Sequence, residues 1–282
     1  MQFGIPYGIN NTTGQPAEEE CHKILKEAYG SGVRMLDTAD AYGSAQEVVG
    51  HYHEAAPPFD VISKLGALQS NSNLEEKVTL GLKKLGVKSF YACLLHSPAD
   101  LALLGSNNPW GKELIECKQK TLFKKLGVSV YTNADLKLAI ENPLTDVIQI
   151  PYNLLDNNNQ RLQLLKQAKE RGKEIHTRSV YMQGLFYMAP DKLPVKLKPL
   201  EIYLKRLHAI SHELHRDLQS MALQYALTNP FIDHVLIGVD SLEQWLQNKN
   251  ALLTIAGDNL NQLIDKQINV AETDLLYPYN WK

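Results

Sequence analysis

Val33-Arg34-Met35-Leu36-Asp37-Thr38-Ala39-Asp40-Ala41-Tyr42-Gly43 runs from a short apolar stretch into a polar loop that ends on glycine. Val33 to Leu36 reads as a buried strand, with the acid Asp37 at its end and Tyr42 on the loop beyond. An acid and a phenol just past a strand suit proton transfer. The pattern recurs downstream. Phe59-Asp60-Val61-Ile62-Ser63-Lys64 is a second apolar run, ending in a lysine. Tyr91-Ala92-Cys93-Leu94-Leu95-His96 is a third, ending in a histidine.

Outward from these three runs, further candidate strands fall at 126–131, 146–151, 174–180 and 234–239, alongside 33–38, 59–64 and 89–95. They are rich in Val, Ile and Leu, as parallel strands buried on both faces should be. Amphipathic segments lie between them. Over 17–30, Cys21, Ile24, Leu25 and Ala28 share one helical face, and over 74–85 Leu74, Val78, Leu82 and Leu85 do the same. Helices are also expected over 160–171, 200–228 and 241–252. Alternating strands and helices with no division into halves predict a (β/α)8 barrel, one domain spanning 1–282. The pattern supplies one strand too few, and the missing one should be the first. Two readings stay open: residues 1–5 form an abbreviated strand, or the barrel lacks it.

Composition narrows the function classes. A net charge of −2 gives no broad footprint for nucleic acid or an anionic membrane. The three cysteines, Cys21, Cys93 and Cys117, are scattered without a CxxC, which fits a reducing, cytoplasmic setting. No apolar run approaches the length of a membrane span, and the N-terminus lacks a signal-peptide pattern. No GxGxxG is present, so a Rossmann dinucleotide site is not supported. Nothing in the sequence indicates oligomeric state.

Taken singly, Asp37 reads as a loop acid, Tyr42 as a loop aromatic, Lys64 as a surface lysine and His96 as a satisfied loop or core histidine. Taken together, Asp, Tyr, Lys and His in this order, each just past a strand, resemble the catalytic set of the aldo-keto reductases. Leu94-Leu95-His96-Ser97-Pro98 is similar to the family's histidine strand end. Leu126-Gly127-Val128-Ser129-Val130 is similar to its GVSN strand, and Gln149-Ile150-Pro151-Tyr152-Asn153 to the strand whose Gln holds the nicotinamide carboxamide. Arg178-Ser179 stands where the family sets a residue against the nicotinamide ring. Ile237-Gly238-Val239-Asp240-Ser241-Leu242 and Asn248 resemble the strand and helix start that hold the adenosine phosphate end. The opening, from Gln2-Phe3-Gly4 to Tyr7-Gly8-Ile9-Asn10, resembles a bacterial branch near sugar and surface-polysaccharide metabolism.

The resemblance implies nicotinamide-dependent reduction of an aldehyde or ketone, a small molecule and potentially sugar-derived, without a metal. Tyr42 would give the proton. A free phenol has a pKa of about 10, and a neighbouring ammonium, Lys64, would lower it. Asp37 would hold Lys64, and His96 would orient the carbonyl. Ser129, Gln149, Arg178 and Ser179 would hold the nicotinamide, and Gly238, Ser241 and Asn248 the adenosine end. The chain departs from the family at Val130, where Asn is usual, and at Arg178, where an aromatic is usual. The family resemblance favours NADP(H). The 238–248 loop offers Asp240, Glu243 and Gln244 with no base until Lys249, which keeps NAD(H) open. These departures also keep open a second function, a cofactor-binding barrel that regulates a partner.

Other features read as bland. His208, His212 and His215 share a helical face expected to be solvated, and His51 and His53 read as surface. The 181–199 segment is the longest irregular one, a candidate loop over the barrel mouth. The tail Tyr277-Pro278-Tyr279-Asn280-Trp281 would cover either the mouth or the exterior.

Overall fold

A computed structural model describes residues 3–6, 8–9, 11, 14–66, 68, 73–105, 107–253 and 259–281. The expected strands form β1 (Met35–Ala39), β2 (Asp60–Leu65), β3 (Phe90–Leu95), β4 (Phe123–Ser129), β5 (Val147–Pro151), β6 (Glu174–Arg178) and β7 (His234–Val235). They lie in chain order in one sheet, each parallel to the last. Helices α1 (Glu18–Gly30), α2 (Ala45–Ala55), α3 (Leu74–Leu85), α4 (Pro109–Gln119), α5 (Asn133–Glu141) and α6 (Asn158–Glu170) precede or link the strands. Then follow α7 (Glu201–Glu213), α8 (Leu218–Leu227), α9 (Leu242–Leu253) and α10 (Leu260–Gln267). Sequential order with a helix between neighbours is singly wound topology, which curls the seven strands into a half-barrel, with no pairing of β7 to β1 among the described residues. Among the described residues, no helix is long and apolar enough to cross a membrane.

Two expectations need correction, the last strand and the helix over 200–228, and the described residues favour one of the two readings of the first strand. The strand awaited before α1 is absent among the described residues. Gly4 makes only an isolated parallel bridge to Gly43, and Met1, Gln2, Tyr7 and Asn10 of the opening motif lie outside the described residues. The last strand, expected over 234–239, keeps only His234–Val235 in the ladder, paired with His176 and Thr177. The helix expected over 200–228 is two helices. His215 turns left-handed at φ 51°, and the Asp217 carboxylate caps α8 by accepting from the Ser220 amide at 2.7 Å. Apolar periodicity runs through this break because both helices bury their faces in one core; the cap is the signal that separates them.

Two apolar clusters hold the molecule together. The larger lies between sheet and helices, with Cys21, Ile24, Leu25, Val78 and Leu82 of the predicted helical faces in it. The smaller is the barrel interior, where Ile62, Ala92, Leu94 and Val147 are fully buried with Met35 and Tyr91 against them. Burying a side chain of this size contributes about 1.5–3 kcal/mol. Strand side chains alternate faces, so the next interior position lies two residues on. Met35 leads to Asp37, Ile62 to Lys64, Leu94 to His96, Gly127 to Ser129, Val147 to Gln149 and His176 to Arg178. The interior plug thus carries a polar layer on its C-terminal side.

Candidate active site

Lys64 is buried, 2% exposed, and its ammonium donates to Asp37 Oδ1. Register explains the meeting. Asp37 pairs with Ile62, so Lys64 is the next interior residue on the neighbouring strand. Gln149 Nε2 donates to the other carboxylate oxygen at 2.8 Å. Burial opposes charge on Asp37, but the Lys64 ammonium and these two hydrogen bonds prevail and hold its carboxyl below the usual range. Burial pushes the Lys64 ammonium down from its usual value, against the pull of Asp37.

Tyr42 and His96 sit above this pair. The Lys64 nitrogen is 5.4 Å from the centroid of the Tyr42 ring. The Tyr42 and His96 rings meet edge to face, centroids 5.8 Å apart. Burial first, then the Lys64 and Arg178 charges, lower the His96 pKa and keep the imidazole neutral near pH 7. The Tyr42 loop is pinned by backbone contact between two glycines. A Cβ on Gly4 would lie 2.2 Å from the Tyr42 carbonyl oxygen, and one on Gly43, at φ +56°, 2.3 Å from the Gly4 carbonyl oxygen.

A second group adjoins the first. Arg178 donates to Ser129 Oγ at 3.2 Å, Ser179 Oγ at 3.3 Å and the Val130 carbonyl at 3.1 Å. Its guanidinium carbon lies 4.0 Å from the centroid of Tyr131. Ser129, Arg178 and Ser179 are thus one cluster, and the arginine stacks on a protein ring. Val130 is fully buried and contributes only its carbonyl. Ser179, Met182 and Gln183 all hold positive φ, an unusual density of strain just beyond β6.

Gly238 and Ser241 precede α9, while Asn248 lies two turns inside it and is held by other partners. No atom lies within 4 Å of a Cβ built on Gly238, so its backbone faces open space. Ser241 Oγ accepts from the Gln244 amide at 3.2 Å, as an N-cap should. The Leu242 amide donates to Glu20 Oε1 of α1 at 2.8 Å, so one donor of this helix end already holds a carboxylate. Asn248 is buried, and its Oδ1 accepts from Tyr181 Oη at 2.5 Å and Gln219 Nε2 at 2.6 Å.

Several contributors escaped the sequence reading. Tyr131 is the platform beneath Arg178, and its only sequence signal was an aromatic two residues past a strand. The tail reaches the same place, with the Tyr279 ring 4.8 Å and the Tyr277 ring 6.3 Å from that of Tyr131. Arg161, 1% exposed, pairs with buried Asp156 and donates to the Tyr131 carbonyl at 2.7 Å, fixing this loop. His53, expected on the surface, is half-buried. It donates from Nδ1 to the Leu85 carbonyl at 2.8 Å and accepts the Phe59 amide at 3.2 Å. His208, His212 and His215 are exposed, as expected, although His215 lies past the end of α7.

A curled sheet of seven parallel strands thus gathers an acid, a phenol, a buried ammonium and an imidazole at its C-terminal end, an arrangement chemically able to move a proton. The chain belongs to the aldo/keto reductase family, whose model matches residues 1–267. Solved structures agree on the fold. An aldo-keto reductase from Bacillus halodurans in its holo form is 22% identical, with a TM-score of 0.73 over 91% of this chain and 89% of that one. An aldo-keto reductase from Klebsiella pneumoniae in complex with NADPH is 17% identical, with a TM-score of 0.69 over 91% of this chain and 87% of that one. No curated protein matches the sequence.

Proposed function

We propose that this protein is an NAD(P)H-dependent reductase of aldehydes or ketones, sugar-derived carbonyls among them, with Tyr42 as proton donor. The observation that carries the reading is the buried Lys64 ammonium, held by Asp37 and set beneath the Tyr42 ring. A lysine in such a place costs solvation energy and is rarely found without a partner or a use. Here its field favours phenolate, so Tyr42 releases a proton more readily than a free phenol. Neutral His96 donates a hydrogen bond to the carbonyl oxygen and fixes its orientation.

A nicotinamide cofactor fits the residues present. Gln149 Oε1 is a fully buried acceptor with no partner, and a carboxamide N–H2 is its natural complement. Ser129, Arg178 and Ser179 complete that subsite, while Gly238 and Ser241 would hold the adenosine end, with Asn248 supporting it from the buried side of α9. The cofactor supplies the hydride; the protein supplies the proton and the orientation. Family membership and the NADPH complex of the Klebsiella pneumoniae relative favour NADPH. Glu20 at the α9 N-terminus favours a nucleotide without the extra phosphate.

Glu20 and the loss of Asn at position 130 also support a second reading, a cofactor-binding barrel that regulates a partner. One experiment separates the two. The protein is titrated with NADPH and with NADH by fluorescence, then given a panel of small aldehydes while absorbance at the reduced-nicotinamide band is followed. Binding with aldehyde-dependent oxidation supports the reductase. Binding without turnover on any aldehyde supports the regulatory barrel.

A further inference from the structure

We propose that Glu174, His176 and His234 form a binding site for one divalent metal ion of the zinc type at the floor of the barrel. The inference does not depend on the reductase reading. Glu174 opens β6 and Arg178 closes it, so the two lie about 13 Å apart along the strand. His176 lies between them, beside Gln149 in the sheet register, so the cluster sits one interior layer below the mouth.

Register brings the three side chains together. His176 pairs with His234 across β6 and β7, and Glu174 precedes His176 by two residues, on the same face. Glu174 Oε1 lies 2.6 Å from His176 Nε2 and 3.7 Å from His234 Nε2. The two imidazole rings meet at 4.7 Å between centroids. One ligand atom from each residue falls within 4.8 Å of the other two. Tetrahedral zinc, with bonds of about 2.0–2.1 Å, needs ligand atoms roughly 3.3 Å apart. Side-chain adjustments of about an ångström close that difference.

The donor set is the one borderline cations prefer, two imidazoles and a carboxylate. His176 is fully buried, yet its Nδ1 has no hydrogen-bond partner. The His234 side chain is 40% exposed and gives an ion a way in. Glu174 Oε2 is occupied by the Lys125 ammonium and by Tyr91 Oη at 3.1 Å. Oε1 also accepts from Tyr91 Oη, at 2.9 Å, and is the oxygen nearest both rings. Lys125 opposes a further positive charge, and its flexible stem lets it swing outward when an ion enters. An ion here would clip β7, paired through only two residues, to β6.

The test uses full-length protein stripped with chelator and dialysed. Zinc chloride is titrated by calorimetry, and cobalt chloride by visible absorbance. The expected result is one equivalent of zinc, cobalt bands of a four- or five-coordinate ion, and a melting temperature raised by zinc. His234→Ala should weaken binding at least about tenfold, and His234→Gln should do the same with less change in packing. Lys125→Met should tighten binding. His212→Ala, on an exposed helix, should change nothing. No uptake by the wild-type protein, or uptake that both His234 variants leave intact, overturns the proposal and assigns the cluster to an internal hydrogen-bond network.

Discussion

Lys64 and Asp37 are the residues on which the site's electrostatics turn. Each is taken out of water, and each makes the other's charge tolerable. Lys64→Met keeps the volume and removes the charge. It should lower reduction by at least about a hundredfold and move the alkaline limb of the rate profile upward, because the phenol loses the ammonium that favours its ionised form. It should also leave Asp37 uncompensated, at a cost of about 3–5 kcal/mol of stability. An unchanged rate profile in a folded variant contradicts the role. His96 adds a pH signature. Burial, Lys64 and Arg178 hold its folded pKa below the ordinary 6.5. The unfolded chain therefore takes up this proton at higher pH than the folded one. The stability linked to His96 is fully present above about pH 6.5 and is lost as pH falls through the folded value. Between pH 7.5 and pH 5 the wild-type melting temperature should fall further than that of His96→Asn. An equal fall in both would mean that the imidazole titrates alike in the two states. Asp37, Lys64 and His96 were legible in the sequence because each ends an apolar run, and Tyr42 because it lies on the polar loop just past the first of them. Tyr131 was not, nor was the bond from Gln149 to Asp37 that leaves its Oε1 unpaired, since a stacking partner and a hydrogen-bond partner are set by neighbours on other strands.

The start of α9 is where cofactor preference should be decided. Ser241 caps the helix, Glu20 reaches in from α1, and the first turn carries Glu243 and Gln244 in place of basic residues. An anion at this end must compete with the Glu20 carboxylate for the Leu242 amide. Gln244→Arg should tighten NADPH relative to NADH by roughly tenfold, about the worth of one charge-assisted contact to phosphate. An unchanged ratio would mean that this turn does not face the 2′-phosphate. The sequence exposed the absence of basic residues but not the presence of Glu20, which lies 222 positions from its partner in the chain. The same limit explains the helix expected over 200–228. Two helices that bury one continuous face share a periodicity, and only the Asp217 cap separates them.

The barrel works as a set of levels, apolar in the middle and polar at both ends. Most strands of the ladder were readable as apolar runs, as parallel strands buried on both faces should be, although β6 turns Glu174, His176 and Arg178 to the interior. The length of the seventh was not readable, because its apolar residues continue past the point where its backbone leaves the ladder. Gly127 shows how tightly the wall is built. A Cβ there would sit 2.2 Å from the Val147 carbonyl oxygen and 2.6 Å from Leu94 Cδ2. Gly127→Ala should destabilise the protein by about 3 kcal/mol, seen as a melting temperature lower by roughly 5–10 °C. A melting temperature unchanged within a degree would show a looser interior than these distances imply.

The most direct measurement of the central claim compares Tyr42→Phe with the wild-type protein in two assays, reduced-nicotinamide titration and single-turnover oxidation in the presence of an aldehyde. The account predicts nucleotide affinity within about twofold of wild type and a chemical step slowed by at least about a thousandfold. A Tyr42→Phe protein that binds nucleotide and still turns over near the wild-type rate would contradict it.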